Sequence, residues 1–432
     1  MRNEVVQKSF ASHSFSWFYS LLLPPLLSIA LAEPPPKVIN FPTATGPSVD
    51  VLIHEEPLWQ KLVPPAKKTS LARPTRNRRV KKLAYWLTLH NKYDHSEQGI
   101  QSGNKIPPPL ATPGTSSNST NNPLDQTIVQ KWSVQMRDYG IRYCTLLKNG
   151  TATGSEILAD VYYDAAHVYQ QIQDYTQDPA WQDCIDAALK IYRDQYVLPN
   201  NGRVPGYWNF SDGLFRSYIE NSDPISRNAL LKLASDASYS NEQTPIGWTQ
   251  PFTLSREVAY AIITYLNSEQ IGSNHEIRLK GFVIQALGHL DQWFGTQSAP
   301  YVRSFMVGLT ARALIRYWEK TGDQRIIAAL SFSLNKLWDL NWVEADQAFR
   351  YQSTVTDSTN DTKTAPDLNL LIAPAYAWVA YVTGDSEAAR RADKIFASGV
   401  SNAYLERPKQ FNQNYLWSFD YIRWRSATQI LQ

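Results

Sequence analysis

The sequence predicts an all-α domain that extends from residue 125 to residue 432. Apolar residues recur there at helical spacing over long segments, and the alternation typical of strands is almost absent. The helical segments come in pairs joined by short turns, and this pair repeats along the chain. Within a pair, the first segment is apolar nearly all round and the second has one apolar face. The pattern therefore predicts inner helices buried on all sides and outer helices with one face in water.

The turns between paired helices make the repeat visible. They occupy residues 175–181, 218–226, 265–277, 317–326 and 381–389. Four of them contain an aspartate where the next helix begins, namely Asp178, Asp223, Asp323 and Asp385. A carboxylate at that position accepts the unpaired backbone N–H groups of the first helical turn. We therefore expect these four residues to be helix caps and not catalytic groups.

The number of pairs indicates how the domain closes. Five hairpins begin near Asp164, Asp212, Arg256, Arg303 and Asp367. Two helical stretches are left over, 127–147 at the start of the domain and 409–425 at its end. If these two pair, six hairpins form a ring, and 409–425 is the sixth inner helix. Its Leu416, Phe419 and Ile422 are then expected to pack outward against the stretch 127–147.

Residues 1–32 have the pattern of an export signal. Arg2 and Lys8 precede the apolar stretch 21–31, which ends in a small-x-small cleavage sequence. We expect a secreted or periplasmic protein with no stable membrane span after cleavage, and a retained signal anchor is the alternative. Residues 33–124 are rich in proline and predict an irregular linker or tail.

The formal charge of +3 is unevenly distributed. Residues 67–82 contain eight basic residues and no acid, so the rest of the chain has 34 basic and 39 acidic side chains. We interpret the basic run as a solvated linker, with contact to an anionic surface or polymer as the alternative. Because the predicted domain is acidic, nucleic acid is not an expected partner.

Cysteine and histidine are too sparse for most metal sites. The chain has two cysteines, Cys144 and Cys184, and no CxxC or HExxH motif. We therefore expect neither a metal nor a cofactor. Export would permit a disulfide between the two cysteines, but a large core does not require one, so the sequence leaves the bridge open.

The repeat resembles the six-hairpin (α/α)6 toroid carbohydrate-active proteins, a group of glycoside hydrolases and polysaccharide lyases. The resemblance covers residues 125–432. It rests on the hairpins, on the Thr-Gly-Asp turns that end at Asp323 and Asp385, and on polar and aromatic residues where the inner helices begin. It implies a substrate cleft at the inner-helix starts and a polysaccharide or oligosaccharide partner. No family within the group is identified.

Each predicted inner-helix start contains groups suited to a sugar, which offers hydroxyl edges and apolar C–H faces. The flat rings there are Tyr162, Tyr207, Trp208, Trp248, Tyr301, Tyr415 and Trp417. The side-chain amides are Asn209, Asn369, Asn412 and Asn414. A single such ring is more often part of a core, but their occurrence together at the six starts favours a glycan site. We place Asn412, Asn414, Tyr415 and Trp417 at the mouth of the cleft.

Carboxyl groups at the same starts predict hydrolysis. Inverting glycosidases use two carboxyl groups roughly 6.5–9.5 Å apart, one as acid and one as base. The candidates are Asp164, Asp212, Glu257, Asp367 and Asp420. Asp164 and Asp367 are our first choice, because each lies in a first turn among apolar neighbours that can raise the pKa of a carboxyl group. Asp212, Glu257 and Asp420 are reserves.

Two alternatives stay open. A polysaccharide lyase needs a base to remove the proton beside a uronate carboxylate and a cation or amide to stabilise the developing charge. Candidate acids and bases for that reaction are His167, Tyr162, Tyr301 and Tyr415, and candidate charge-neutralising groups are Asn209, Asn414, Arg256 and Arg303. The second alternative is a glycan-binding or polysaccharide-assembly protein without activity. The two arginines also indicate an anionic sugar, and His167 is expected to hydrogen-bond to Asp164, one turn before it.

Overall fold

The computed structural model describes residues 124–150, 154–355 and 362–430. The predicted signal peptide and the predicted linker with its basic run lie outside these residues, apart from Leu124. In the described part, thirteen α-helices and one two-stranded sheet are formed. No helix of that part is both long enough and apolar enough to cross a bilayer.

The helices follow one another in the predicted pairs. Their bounds are α1 (Gln126–Asn149), α2 (Gly154–Asp160), α3 (Ala165–Thr176), α4 (Gln182–Leu189), α5 (Asp212–Asn221), α6 (Pro224–Asp236), α7 (Ser255–Glu269), α8 (Glu276–Leu290), α9 (Ser304–Thr321), α10 (Gln324–Asn341), α11 (Asn369–Thr383), α12 (Ser386–Ser401) and α13 (Pro408–Ile430). The chain continues α4 and α8 into wider π-helical turns at Lys190–Val197 and Asp291–Gly295. Strands β1 (Trp342–Val343) and β2 (Ala348–Phe349) are antiparallel, with Trp342 opposite Phe349. The predicted all-α class is confirmed.

Aspartate caps and left-handed glycines determine where several helices begin and end. The four predicted caps are confirmed, because the side chains of Asp178, Asp223, Asp323 and Asp385 each accept a backbone N–H of the turn that follows. Gly322 and Gly384 end α9 and α11 with φ of +69° and +74°. Glycine adopts this left-handed conformation without the steric cost of a Cβ. The Thr-Gly-Asp sequence thus ends one helix and begins the next.

The two predicted layers differ in burial. Every residue at positions 369–380 of α11 is buried, so this first helix has no face in water over that length. The second helix α10 buries Ile326, Leu330, Leu334 and Leu337 on one side and is wetted on the other. Burial of each such side chain contributes about 1.5–3 kcal/mol relative to exposure. Apolar burial therefore distinguishes the first helix α11 from the second helix α10 in the way that the sequence predicts.

The first helices contact one another in a cyclic order. Helix α3 contacts α5, which contacts α7, and the series continues through α9, α11 and α13 back to α3. Each first helix also packs on a second helix, and α13 packs on α1. Helices α9 and α11 approach most tightly at Gly308, where an added Cβ would lie 2.7 Å from the Leu371 carbonyl oxygen. Only glycine fits at that crossing.

The last helix is joined to the first by polar and aromatic contacts. Trp132 Nε1 of α1 donates to Ser418 Oγ of α13 at 2.9 Å, and the Tyr415 hydroxyl donates to the Trp132 carbonyl oxygen at 2.9 Å. The Phe419 ring meets the Trp132 ring edge-on, with centroids 4.9 Å apart. The predicted pairing of the first and last helical stretches is confirmed.

A disulfide joins Cys144 of α1 to Cys184 of α4. Both residues are buried. The bridge that the sequence left open therefore links the helix that packs on α13 to the second helix of the next pair. The disulfide and the Trp132 contacts therefore both attach α1 to neighbouring helices.

We expect Trp132→Ala to lower the free energy of unfolding by about 3–5 kcal/mol, because it removes a fully buried ring and leaves a cavity between α1 and α13. Val134→Ala is the control, since Val134 lies on the same helix and is 44% exposed. Urea unfolding followed by circular dichroism measures both changes. Equal losses in the two variants would contradict this account of the junction.

We expect reduction of the disulfide to lower the free energy of unfolding by about 2–4 kcal/mol, since it releases a constraint between residues 40 apart. Thermal unfolding with and without reductant measures the effect. The double variant Cys144→Ala/Cys184→Ala is the control, because its stability should not respond to reductant. A wild-type protein that is equally insensitive would show that the bridge adds no stability.

Candidate functional site

Side chains from the starts of the first helices meet in one cluster. We call it the pole cluster, and it consists of Tyr162, Tyr163, Arg256, Glu257, Tyr351, Asp367 and Lys409. The charges of Arg256 and Asp367 and the Tyr351 phenol all act electrostatically on the Tyr163 hydroxyl. Lys409 Nζ lies 4.8 Å from the centre of the Tyr162 ring and is close enough to Arg256 for the two charges to interact. The starts of α3, α7, α11 and α13 thus bring charged and aromatic side chains within interaction range of one another.

The Tyr162 ring is the aromatic centre of the pole cluster. The rings of Tyr163, Trp208 and Phe210 meet it edge-on, with centroids 4.5, 4.6 and 5.0 Å away. Asn412 Nδ2 donates to the Tyr162 carbonyl oxygen at 2.9 Å and fixes the backbone. Trp208 precedes α5, so this contact adds a fifth helix start to the cluster.

A strained turn carries the cluster into α3. Tyr163 and Asp164 have φ of +65° and +53°, and such left-handed residues cost about 1–3 kcal/mol each. The Asp164 carboxylate holds the turn, because it accepts the backbone N–H of His167 at 3.3 Å and that of Gly213 at 3.0 Å. A Cβ at Gly213 would lie 2.6 Å from Asp164 Oδ1, so only glycine permits this approach. Asp164 thereby fixes the start of α3 against the start of α5.

The start of α7 supplies an ion pair to the pole cluster. Arg256 Nη2 donates to Glu257 Oε1 at 2.7 Å, and the guanidinium lies 5.2 Å from the centre of the Tyr207 ring. Glu257 Oε2 is buried and has no hydrogen-bond partner among the described residues. Leaving a buried oxygen unpaired costs about 1–3 kcal/mol. No described protein group therefore satisfies this oxygen.

The start of α9 reaches the cluster through Tyr351. Arg303 lies 5.0 Å from the centre of the Tyr301 ring and 6.0 Å from that of Tyr351, and its Nε donates to Gln352 Oε1 at 3.0 Å. The Phe305 ring also packs on Tyr351, with centroids 5.3 Å apart. All six first helices therefore contribute groups to the cluster or to its immediate neighbours.

A second set of charges lies between the first helices. Asp212 of α5 accepts from Arg312 Nη2 at 2.8 Å, from Arg316 Nη1 at 3.2 Å and from Asn267 Nδ2 at 2.8 Å. Arg312 Nε is also 3.6 Å from Asp420 Oδ2 of α13. Burial opposes ionisation of Asp212, but the two guanidinium groups hold its pKa well below the usual range. We call these five residues the buried charge network, which joins α5, α7, α9 and α13.

Asp164 and His167 both lie beside the buried charge network. Burial, together with the negative charge of Asp212, raises the pKa of Asp164 to about 7. Burial lowers the pKa of His167 to about 3, so the imidazole is neutral near pH 7. Contrary to our expectation, the hydrogen bond between the two residues uses the backbone N–H of His167, and the imidazole Nδ1 has no partner in the described structure.

The structure divides the predicted site residues into two groups. Tyr162, Arg256, Glu257 and Asp367 lie in the pole cluster, and Tyr207, Trp208, Tyr301 and Arg303 adjoin it. Asp212 and Asp420 lie in the buried charge network, and Asp164 and His167 lie beside it. Trp248 is 64% exposed, so its ring is available at the surface.

The predicted amides are occupied by other protein groups. Asn209 bonds to the Ser240 and Thr264 hydroxyls, and Asn369 bonds to the Gln347 carbonyl.

The placement of four α13 residues at an open cleft mouth is not observed. Asn412, Asn414, Tyr415 and Trp417 are each at most 1% exposed. Asn412 and Asn414 donate to backbone carbonyls, and Tyr415 faces Trp132 of α1. Trp417 packs edge-on against Tyr163 at 5.4 Å, beneath the pole cluster. Every residue at positions 411–418 of α13 is buried, so none of the four lies at an open surface.

Three members of the pole cluster were missed by sequence reasoning. Tyr163 follows Tyr162 directly, and its role depends on a left-handed backbone that the sequence does not signal. Lys409 lies at the start of α13 and could have been found, because it is the second residue of its helix, as Arg256 is of α7. Tyr351 follows β2 in an irregular segment, where no periodicity marks it.

We expect Asp164→Asn and His167→Gln to change the pH dependence of stability in opposite directions. The folded pKa of Asp164, about 7, exceeds the unfolded value near 4, so the folded state holds an extra proton and stability falls as pH rises from about 4 to 7. The folded pKa of His167, about 3, is below the unfolded value near 6.5, so stability rises over about pH 3 to 6.5.

Melting temperatures between pH 4 and pH 7.5 measure this difference. Relative to wild type, Asp164→Asn should gain stability more steeply with rising pH, and His167→Gln less steeply. Asp178→Asn, at an exposed cap, is the control and should keep the wild-type slope. Parallel profiles for all four proteins would contradict the buried state of the pair.

In the described part of the chain, no group of three or more His, Cys, Asp or Glu side chains is arranged to hold a metal ion. No protein-family profile matches the chain, and neither the curated proteins nor the solved structures include a significant match.

Proposed function

We propose that residues 125–432 form an (α/α)6 toroid of six helical hairpins. The cyclic contacts of α3, α5, α7, α9, α11 and α13 support this arrangement. The contacts of α13 with α1 support a sixth pair made from the two ends of the domain. We further propose that the protein is exported, secreted or periplasmic, on the basis of the signal pattern in residues 1–32.

We propose that the protein is a polysaccharide-processing enzyme, a glycoside hydrolase whose site is the pole cluster. One observation carries the proposal: all six first-helix starts contribute rings, cations or carboxyl groups to this cluster or its neighbours. Structural helix starts need a capping oxygen and do not need several tyrosines and charges. Sugars bind where aromatic faces lie beside hydrogen-bonding groups, so the composition favours a glycan ligand.

Burial and contacts favour Glu257 and Asp367 as the reacting carboxyl groups. Arg256 fixes one oxygen of Glu257, and the other, Oε2, has no protein partner among the described residues. The charge of Asp367, at the start of the α11 hairpin, interacts electrostatically with the Tyr163 hydroxyl. In this proposal one group protonates the leaving oxygen and the other activates water. Asp164, our first choice from sequence, is 6% exposed and holds two backbone N–H groups, which favours a positioning role.

The same geometry favours hydrolysis over elimination. Burial raises the pKa of Tyr162, and it raises that of Tyr163 to about 12, so both phenols keep their protons at neutral pH. They suit donation better than abstraction of a proton. His167 is buried beside the buried charge network, and Tyr415 is buried against α1, so neither lies in the pole cluster. Of the four candidate bases for elimination, only Tyr301, which adjoins the cluster, is left.

We expect purified protein to release reducing ends from at least one member of a glycan panel without a new ultraviolet chromophore. Glu257→Gln and Asp367→Asn should each lower kcat by about 10²–10⁴-fold, as expected for loss of general acid–base catalysis. Glu276→Gln is the control, because Glu276 is exposed on α8 and pairs only with Lys280. A chromophore would indicate elimination, and binding without products would indicate a glycan-binding protein; either result would overturn the hydrolase proposal.

A further inference from the structure

Three cations at first-helix starts each lie over a tyrosine ring. Arg256 is 5.2 Å from the centre of Tyr207. Arg303 is 5.0 Å from the centre of Tyr301, and Lys409 Nζ is 4.8 Å from that of Tyr162. The starts of α7, α9 and α13 thus repeat one arrangement around the pole cluster.

These cations differ in how they are neutralised. Arg256 has Glu257 at 2.7 Å. No carboxylate of the described residues lies within ion-pair distance of Arg303 or Lys409. Partial burial and the nearby positive charge of Arg256 both lower the pKa of the Lys409 ammonium group.

A tyrosine ring holds a cation in place without neutralising it. The attraction arises from the ring quadrupole and contributes about 0.5–1 kcal/mol at an exposed site. The N–H donors that point away from the ring stay available, and the full charge is kept. A cation held in this way can still form an ion pair with an anionic ligand, whereas a cation paired with a carboxylate has already formed one.

The balance of charge in the site favours the same ligand. Arg256, Arg303 and Lys409 give three positive charges, against one negative charge from Glu257 and Asp367, because the proposed general acid is protonated. An acidic polymer approaching the ionised carboxylate would be repelled by it if no further cation lay nearby. Arg303 and Lys409 offset that repulsion.

We propose that Arg303 and Lys409 bind the negatively charged substituents of an acidic glycan and so select acidic over neutral polysaccharides. This inference rests on the proposed function of the pole cluster. Lys409 is the sharper test of the two, because its side chain makes no ion pair with the described residues and its replacement removes one contact, that with the Tyr162 ring. Carboxylate and sulfate substituents both carry the negative charge that these two cations would bind, and the experiment distinguishes them.

The test measures binding of matched acidic and neutral polymers to the full chain by calorimetry. One set shares a β-glucan backbone: carboxymethyl cellulose, cellulose sulfate and neutral hydroxyethyl cellulose. A second set is polygalacturonate and its methyl ester. We expect the wild type to prefer an acidic member. Lys409→Gln should weaken that binding about 10-fold, as for loss of one charged hydrogen bond, and should change binding of the neutral partner less than about 2-fold.

Lys336→Gln is the matched control, because Lys336 Nζ also lies over an aromatic ring, Phe332 at 5.9 Å, and is on α10 away from the pole cluster. It should leave both affinities unchanged, and Lys409→Arg should keep the acidic preference. Circular dichroism melting checks that each variant is folded.

The outcomes separate this inference from the proposed function. If glycans bind with no acidic preference, or if Lys409→Gln weakens both members of a pair equally, the inference is wrong and the proposed glycan site stands. If an acidic glycan binds selectively but is not cleaved, the hydrolase proposal is wrong and the inference stands. If no polymer of either set binds, both are overturned.

Discussion

The burial of α11 on every side is the constraint on which the rest of the structure depends. Residues 369–380 leave no face for water, so other helices must cover the whole circumference. Helices α9 and α13 flank it and α12 covers its outer side. The same requirement applies to α7 and α9, whose residues are also largely buried. A row of such helices would leave its first and last members with one uncovered face. The contact between α13 and α3 covers both of these faces.

This constraint limits where polar groups can lie. Between the first helices the charged side chains pair with one another, as in the buried charge network, where Asp212 is held by two arginines and Asn267. Buried atoms without a hydrogen-bond partner in the described structure occur both there and at the helix starts, among them Arg312 Nε and Glu257 Oε2. The left-handed turn at Tyr163 lies at the boundary between these zones. Strain of this kind persists where the surrounding structure fixes it, and here Asp164 and Gly213 do so.

The site could be predicted from the sequence only where position along a hairpin determines position in space. Arg256, Glu257 and Arg303 follow from their place at a helix start. Asn414 and Tyr415 were expected at an equivalent start, but α13 begins at Pro408, so they lie about two turns inside the helix and are buried, Tyr415 against α1. The helical rotation that turns a side chain toward ligand or toward a neighbour depends on packing angles. One residue of offset changes its direction by about 100°.

The sequence by itself determined the all-α class, the four aspartate caps and the pairing of successive helices. These features depend on local periodicity and on contacts within a few residues. Only the tertiary structure decided that Cys144 meets Cys184, that Asp212 is neutralised by Arg312, and that Lys409 lies over Tyr162. Such contacts join residues 40 to nearly 250 positions apart, and no local pattern encodes the packing that brings them together.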